Sequence, residues 1–452
     1  MVTEVLNPEQ YGVLSLLVAV QTFFGLLFLS PVGQHISLNA HRWADEGVLK
    51  HYLSVFGFYV VAVALLGSVV GCFAIGLSQF GVVYASSGLA IFLAILGATL
   101  NGTYVWLLNL LHHASISTLF LVATAGAALG MSVTLATGEG AAFWWLIGQA
   151  LAMLGIALVA RGVLNKKVAN VSAHAQHVSY PSKELLAFCL PLAATVAVIW
   201  VQTSGYRFLV GREWGAAQLG LVALGLQLAV QMGSVVESLA IQAVYPAFYR
   251  RCKLISDERS ISCAFSDMLN VLAPIYIIVA GLVVATSASL TKVLVSVNYP
   301  GASQFLALGA GIELMRVLTS LLSSAAHGLR DTRILLLPAC CGSGVAVISV
   351  AAAAAANVGI IWALYGLLLG AVTTLVLTAL SVAQRVSIAI DAARWLAAVA
   401  VALLLISVAA AISSHSTYFA ALANLALFGL CATAAALLIM WRNDAAARLL
   451  AA

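Results

Sequence analysis

Polar side chains recur at helical spacing in two stretches of this chain that are otherwise apolar. In residues 217–244 five of them follow a spacing of four, three, four and four. At about 100° per residue, these positions fall within one quarter of a helix circumference, and Glu237 lies at the edge of the set. The stripe consists of Gln227, Gln231, Ser234, Ser238 and Gln242.

A second stripe of similar width follows residues 303–326, and it carries two opposite charges three residues apart. Its members are Glu313, Arg316, Ser320, Ser323, Ser324 and His327. A charged side chain near the centre of a bilayer costs about 2.5–3.5 kcal/mol on insertion scales, and such residues mark function by default. The two stripes are therefore the first candidates for a functional site.

Two interpretations of the stripes compete. They either form hydrogen bonds between packed helices, with Glu313 and Arg316 neutralising each other, or they face a hydrated cavity that accepts a polar cargo. Packing needs one or two polar residues per helix, and each face carries five or six, so we favour the cavity. Whether Glu313 and Arg316 contact the cargo directly is left undecided by the sequence. Arg207, at the outer end of another apolar stretch, either snorkels to the interface or lines the cavity.

The elements that must position these residues are apolar helices. Of the 452 residues, 63% are hydrophobic and 8% are charged. Continuous runs of about 20 apolar residues predict transmembrane helices, because lipid leaves backbone groups no other partners. We therefore predict an all-α polytopic membrane protein. The thirteen predicted spans are 11–33, 53–75, 86–110, 116–137, 141–163, 184–204, 217–244, 266–287, 303–326, 334–356, 359–382, 393–413 and 417–440.

Basic residues are distributed unevenly between the two sets of alternate loops. One set carries sixteen lysines and arginines, and the other carries only Arg207, Arg212 and Lys292. The positive-inside rule then places the C-terminus and the long basic loops in the cytoplasm and residues 1–10 outside. Topology accounts for these charges, so no nucleic-acid partner is expected.

An offset of 208 residues relates two parts of the chain. It pairs Gly12 with Gly220, Gln34 with Gln242 and Arg42 with Arg250. Each of the two segments is an apolar helix that begins near the glycine, ends near the glutamine and is followed by a short basic stretch. Gln34 is included among the predicted cavity residues. The offset leaves span 184–204 without a partner in the first half. We therefore predict two repeated six-helix lobes plus two C-terminal helices, with the first helix missing from this chain, for which a mis-annotated start codon is the simplest explanation.

The sequence carries none of the short motifs of hydrolases, nucleotide-binding proteins or zinc enzymes that we sought. The seven cysteines show no C-x-x-C spacing, and the nine histidines are scattered. We therefore expect no metal site, no cofactor and no enzymatic activity. Without an ATP-binding loop, transport would be passive, driven by cargo or coupled to H⁺ or Na⁺.

The residues also carry a family resemblance. The segments NPEQYG and LSPVGQHISLNAHRWADEGVLKHYL, then RFLVGREWGAAQLGLVALGLQLAV, QAVYPAFYRR and SSAAHGLRDTR, resemble bacterial oligosaccharide flippases. These proteins belong to the multidrug/oligosaccharidyl-lipid/polysaccharide exporter superfamily. The resemblance implies a two-lobed bundle with 1–163 as the N-terminal lobe (helices 2–6 of the family pattern) and 164–183 as a cytoplasmic linker. It implies 184–382 as the C-terminal lobe, followed by two extra helices in 393–440.

What the resemblance implies about function is specific. Such proteins move an undecaprenyl-diphosphate-linked oligosaccharide from the cytoplasmic to the periplasmic leaflet of the bacterial inner membrane, for O-antigen or exopolysaccharide synthesis. The expected partners are this lipid-linked oligosaccharide, membrane lipid, and a polysaccharide polymerase with its chain-length regulator. Relatives use cationic cavity residues to attract the diphosphate, and Arg207 and Arg316 are the candidates here. The first four predicted spans contain no lysine or arginine, and the fifth, 141–163, contains only Arg161, close to its cytoplasmic end.

Two alternatives are kept. A cation-coupled multidrug exporter of the same superfamily would favour an acidic cation site in the N-terminal lobe, and residues 53–137 contain no acidic residue. A membrane polymerase or ligase would carry a large outer loop with Arg and His, and no predicted outer loop exceeds about sixteen residues, as counted between the predicted spans.

Overall fold

The structure is a computed structural model that describes residues 2–77, 84–136, 138, 140–167, 182–254, 258–329, 331–412, 417–441, 443 and 445. These residues form helices and connecting turns, with no β-strand among them. The α-helices are α1 (Val2–Val5), α2 (Pro8–Phe24), α3 (Ser30–Asp45), α4 (Leu49–Leu77), α5 (Tyr84–Leu110), α6 (Ala114–Leu135), α7 (Ala141–Lys167), α8 (Ser182–Trp200), α9 (Tyr206–Ala243), α10 (Tyr245–Leu254), α11 (Glu258–Leu294), α12 (Ala302–Gly328), α13 (Leu336–Ala355), α14 (Ile360–Ala383), α15 (Ala392–Ala411) and α16 (Tyr418–Met440).

Two π-helical turns continue the helices without a break. One, Gly25–Leu29, joins α2 to α3, and the other, Val201–Gly205, joins α8 to α9. Isolated π turns of this kind are uncommon and occur often at functional sites. A short 3₁₀ turn, Thr332–Leu335, leads into α13.

The predicted spans correspond to helices of the structure. Within the described residues, twelve helical segments are long and apolar enough to cross a membrane. The longest, Leu192–Phe248, has 57 residues and is interrupted at Gly215, where φ is 83° and ψ is 166°. Only glycine adopts that backbone conformation readily, so this segment is two spans joined by a sharp bend. The described helices therefore confirm the thirteen spans that the sequence predicts.

The first compact unit is formed by residues 1–220. Its core is built from large apolar side chains that are almost fully buried, among them Phe24, Phe56, Ile91 and Tyr104. Small residues let helices approach closely: a Cβ atom on Gly97 would lie 2.5 Å from the carbonyl oxygen of Ala150. Such contacts hold helices together where lipid supplies no hydrophobic driving force.

Helix α8 packs within this first unit, against α3 and the preceding π turn. The Trp200 indole N–H donates to the carbonyl oxygen of Ala19 at 3.1 Å and to Oγ1 of Thr22 at 3.3 Å. Its ring also lies edge-on to Phe23 at 4.8 Å. The division into compact units falls after residue 220, whereas the family resemblance implies a C-terminal lobe that begins at residue 184. Most of the predicted linker 164–183 lies outside the described residues.

The second compact unit is formed by residues 221–452, and its core includes Phe248, Phe265, Met268 and Leu321. Helices α15 and α16, the two extra helices of the prediction, pack on α11. The buried side chain of Asn270 on α11 bonds the segment before α15. It donates to the carbonyl oxygen of Ala389 at 2.8 Å and accepts from the backbone N–H of Asp391 at 2.9 Å.

The offset of 208 residues is visible in the structure. Helix α2 begins after Asn7, whose ψ is 169°, and the second arm of α9 begins after Gly215, whose ψ is 166°. These two residues are separated by 208 positions (215 − 7). Two helices of the repeat thus start at equivalent positions, after residues with similar ψ, although φ is −79° at Asn7 and 83° at Gly215. At Asn7 a capping box satisfies the first backbone N–H groups.

Candidate functional site

A three-residue charged cluster lies in the second unit, where α9 faces α12. Arg316 donates from Nε to Oε2 of Glu313 at 2.8 Å and from Nη2 to Oε1 of the same carboxylate at 2.6 Å. Its Nη2 also donates to Oε2 of Glu237 at 3.1 Å. The guanidinium therefore grips one carboxylate with two bonds and reaches a second on the neighbouring helix, a geometry that suits arginine.

The three members of the cluster differ in exposure. The side chain of Glu313 is 7% exposed, that of Glu237 is 23% exposed and that of Arg316 is 39% exposed. With both carboxylates ionised, the cluster carries one net negative charge. Glu313 is thus the buried member of the cluster, and part of the Arg316 guanidinium is accessible from outside the cluster.

Gly233 on α9 makes room for the cluster. A Cβ atom at this position would lie 2.6 Å from Oε1 of Glu313, closer than such atoms approach in proteins. A small pocket below the carboxylate is lined by Ala229, Tyr276 and Val317 among other residues. The absence of a side chain at Gly233 is therefore what lets Glu313 lie between the two helices.

The polar stripe of α9 is largely accessible, and its glutamines and serines make no hydrogen bond to another helix in the part of the chain that the structure describes. The hydroxyl of Ser234 donates to the Gln231 carbonyl of its own helix, and that of Ser238 donates to the Ser234 carbonyl. Gln231, Ser238 and Gln242 are exposed, and Gln227 is half-buried. Glu237 alone links this stripe to another described helix through an ion pair. The serines of the α9 stripe thus bond within their own helix.

The polar stripe of α12 is more enclosed. Ser323 and Ser324 bond carbonyls one turn earlier on the same helix, and Ser324 is buried. Tyr245, at the start of α10, hydrogen bonds with Ser320 and Ser324. His327 is exposed at the end of the helix. The serines of this stripe thus bond their own helix, and Tyr245 links the stripe to α10.

Sequence reasoning missed Tyr245 and Tyr276, the two tyrosines near the charged cluster. Both approach it from helices outside the two stripes, since Tyr245 begins α10 and Tyr276 lies within α11. Tyr276 belongs to no polar periodicity, because its neighbours along the chain are mainly apolar. Tyr245 continues the spacing of the α9 stripe, three residues after Gln242, but it lies beyond the end of the predicted span 217–244. Only the packing of α10 and α11 on α9 and α12 brings them there.

Arg207 lies in the first unit and has a different environment. Its Nη1 donates to the backbone carbonyl of Ser15 on α2 at 3.1 Å, and its guanidinium carbon lies 6.0 Å from the centre of the Tyr206 ring. Its Nε is buried and has no hydrogen-bond partner in the described part of the chain. Buried donors are nearly always paired, so this N–H is available to an acceptor that the protein itself does not supply.

The contact of Arg207 with α2 lies inside that helix. Ser15, whose carbonyl it contacts, is seven residues into α2, or about 10 Å along the helix. Gln34 is exposed on α3 in the same unit. The predicted residues therefore fall into two groups, Arg207 and Gln34 in the first unit and the two stripes in the second.

The structure offers no metal site of its own among the described residues. No group of three His, Cys, Asp or Glu side chains there is close enough to hold a metal ion.

Two solved structures have a fold similar to that of this chain. One is the lipid II flippase MurJ in an inward closed conformation, with a TM-score of 0.68 and 12% identity, covering 95% of this chain and 93% of that one. The other is an inward-facing multidrug resistance MATE family transporter of the MOP superfamily. Its TM-score is 0.61 and its identity 12%, covering 91% of this chain and 94% of that one.

Sequence comparison then gives the family. The model of the family described as "Polysaccharide biosynthesis protein" matches residues 1–304. The chain belongs to this family and has a fold like that of MurJ and MATE transporters. A search of curated proteins found no match. The family and the fold agree with the resemblance noted in the sequence.

Proposed function

We propose that this protein is a flippase that moves an undecaprenyl-diphosphate-linked oligosaccharide from the cytoplasmic to the periplasmic leaflet by alternating access, for surface polysaccharide synthesis. The observation that carries the proposal is the accessible polar stripe on α9. Gln231, Ser238 and Gln242 are exposed on a helix that must cross a membrane. Hydrocarbon is a poor environment for unpaired amides, so this face requires water or a polar cargo.

The chemistry of the stripe suits a glycan. Amide and hydroxyl groups both donate and accept, as sugar hydroxyls do, and they bind without imposing charge. The stripe extends from Gln227 to Gln242, which is fifteen residues or about 22 Å along the helix. That length suits an elongated oligosaccharide better than a small ion.

Arg207 and Arg316 are the proposed contacts for the diphosphate. Arg207 has an unused buried N–H and no carboxylate partner among the described residues, so it can offer most of its charge to an anion. Arg316 is already engaged by Glu313 and Glu237 and would contribute less. Arginine binds phosphate oxygens through paired N–H groups, which makes it the suitable residue type.

The charged cluster of Glu237, Glu313 and Arg316 is also the proposed coupling site for H⁺ or Na⁺. Two carboxylates share one guanidinium, so one negative charge is left over in membrane-spanning helices. Binding one cation would neutralise the cluster and remove the cost of that charge. The more exposed carboxylate, Glu237, is the one that an incoming cation would reach.

A reconstitution assay tests the proposal. Purified full-length protein is placed in liposomes that contain an undecaprenyl-diphosphate-linked oligosaccharide, and membrane-impermeant periodate is then added. Protein-free liposomes should protect the inner-leaflet glycans, whereas the protein should expose all of them to oxidation. Equal protection with and without the protein would reject lipid-linked oligosaccharide as the cargo.

The same vesicles separate the alternatives. A multidrug exporter would move a cationic dye across the bilayer and leave the glycans protected. A polymerase or ligase would lengthen the glycan or transfer it, which mass spectrometry of the recovered lipid would detect. We propose an inner-membrane location with a cytoplasmic C-terminus, and a polymerase with its chain-length regulator as partners in the cell. A reporter fused after residue 452 should therefore be active only in the cytoplasm.

A further inference from the structure

Five of the nine histidines of the chain belong to three neighbouring elements of the first unit. They lie on α3, at the start of α4 and in the turn between α5 and α6. His41 on α3 and His112 in the turn have ring centres 5.5 Å apart, with 41° between the ring planes. That separation is typical of aromatic rings in contact. Both side chains are exposed. The pair therefore links α3 to a turn that lies 71 positions (112 − 41) further along the chain.

His112 has a backbone conformation that histidine rarely adopts, with a φ of 66°. The backbone N–H groups of His112 and His113 donate to carbonyl oxygens of α5 at 3.2 Å and 2.9 Å, which is the Schellman pattern that ends a helix. Helix α3 ends in the same way at Gly47, and α13 at Asn357. Glycine and asparagine are the usual residues there, because other side chains are strained at positive φ. A histidine in this strained position points to a role for its side chain.

Within the part of the chain that the structure describes, neither ring of the pair forms an ion pair with a carboxylate. Arg42, the neighbour of His41, pairs with Glu46 at 3.8 Å. The charged and titratable side chains on the elements packed around the pair are His35, Arg42, Asp45 and Glu46 on α3, Lys50, His51 and Tyr52 on α4, Tyr104 on α5, His113 in the turn and Arg161 on α7. Three of these are basic and two acidic at neutral pH. There is therefore no excess of negative charge to stabilise two protonated rings.

We propose that His41 and His112 form a pH-sensitive latch between α3 and the α5–α6 turn, closed while the rings are neutral and released when both are protonated. Histidine is the side chain whose charge ordinarily changes between pH 5 and 8, and two protonated rings at this separation repel each other. The distribution of basic residues predicts that these elements face the cytoplasm, so the latch responds to cytoplasmic acidification. Because α3 continues from α2 through the π turn Gly25–Leu29, release frees the inner end of one long helix.

Hydrogen exchange in the turn tests the latch. Protection factors, which correct for the intrinsic effect of pH on exchange, are measured for the backbone amides of residues 108–117 of the full-length protein in detergent. The measurement is made at about pH 7.5 and at about pH 5.5, on either side of the ordinary titration of histidine. Two unit charges 5.5 Å apart weaken a contact about threefold even in water, so protection should fall at least threefold in acid. His41→Gln with His112→Asn should abolish this fall, and asparagine keeps the turn, as Asn357 does after α13.

His51→Gln is the matched control, because His51 is exposed on a neighbouring element and its ring lies 6.0 Å from that of Tyr52. This variant should keep the fall in acid. Equal protection at both pH values in the unaltered protein would reject the latch, and so would an undiminished fall in the double variant. If the double variant does not reach the membrane, His112→Asn alone decides, since it removes one of the two charges and leaves α3 unchanged. The measurement needs no cargo, so the latch and the flippase function can fail separately.

Discussion

Arg207 in the first unit and Arg316 in the second are arginines of membrane-spanning helices whose surroundings differ. Arg316 is held by two carboxylates through three hydrogen bonds. Arg207 has a backbone carbonyl, an aromatic ring and a buried N–H without a partner. An arginine that the protein has already neutralised stabilises the helices around it, whereas one that is only partly satisfied has binding capacity left for an anion.

The largest effect is expected from reversing the charge of Arg316. Arg316→Glu would put three carboxylates together, and surface polysaccharide should disappear while the protein still inserts. Loss of the ion pairs should also lower the free energy of unfolding by roughly 2–3 kcal/mol, less than for a fully buried pair because Arg316 is 39% exposed. Polymer on cells and melting in detergent measure the two effects.

The matched control for that variant is Arg212→Glu. The side chain of Arg212 is 73% exposed and pairs with its neighbour Glu213. Normal polymer is expected from this control. Normal polymer from Arg316→Glu would instead remove Arg316 from the site.

The two carboxylates of the cluster should not be equivalent. Glu313→Gln removes a nearly buried carboxylate with two short bonds and should cost roughly 1.5–3 kcal/mol. Glu237→Gln weakens one longer bond at a more exposed group and should cost about 0.5–1 kcal/mol. Thermal melting of the two variants compares them. Equal losses of unfolding free energy in the two variants would mean that Arg316 is bound equally strongly by Glu313 and Glu237.

Gly25 and Gly233 are related by the 208-residue offset and offer a sharper comparison between the units. Gly233→Ala would push against the carboxylate of Glu313 and should cost roughly 1–3 kcal/mol. Gly25→Ala meets no atom within 4 Å and should change stability by less than about 0.5 kcal/mol. Melting temperatures measure both. A large loss at Gly25 would show that the π turn itself depends on glycine.

Only a small effect on stability is expected at Arg207. Arg207→Gln removes one bond to a backbone carbonyl and should cost about 1 kcal/mol or less. The rate of glycan flipping in liposomes should nevertheless fall at least tenfold, because the diphosphate loses its contact in the first unit. A variant that melts earlier by several degrees yet flips normally would identify Arg207 as a packing residue.

Much of the fold could be predicted because lipid imposes simple rules. Hydropathy alone predicts thirteen spans, and the bend at Gly215 is what separates two of them in the structure. The helix against which α8 packs could not be predicted from hydropathy. Its position beside α3 depends on Trp200 reaching Ala19 and Thr22, a contact between residues about 180 positions apart that no local pattern encodes.

The candidate site was predictable where it follows helical periodicity. The positions of Glu313 and Arg316 three residues apart predict their contact, and the structure has it. The reach of Arg316 to Glu237 depends on the packing of two helices, and on the missing side chain at Gly233. The free N–H of Arg207 likewise appears only when every neighbour is in place.

The hydration of the α9 and α12 faces is the central claim, and thiol labelling measures it most directly. Gln231→Cys and Ser320→Cys are introduced separately into a cysteine-free protein and exposed to a water-soluble maleimide from either side. Leu239→Cys, on the same helix as Gln231 and 63% exposed, reports the lipid-facing background. Both polar-face cysteines should react well above that background from at least one side. If neither does, with and without cargo, the polar face is not hydrated and the translocation function is contradicted.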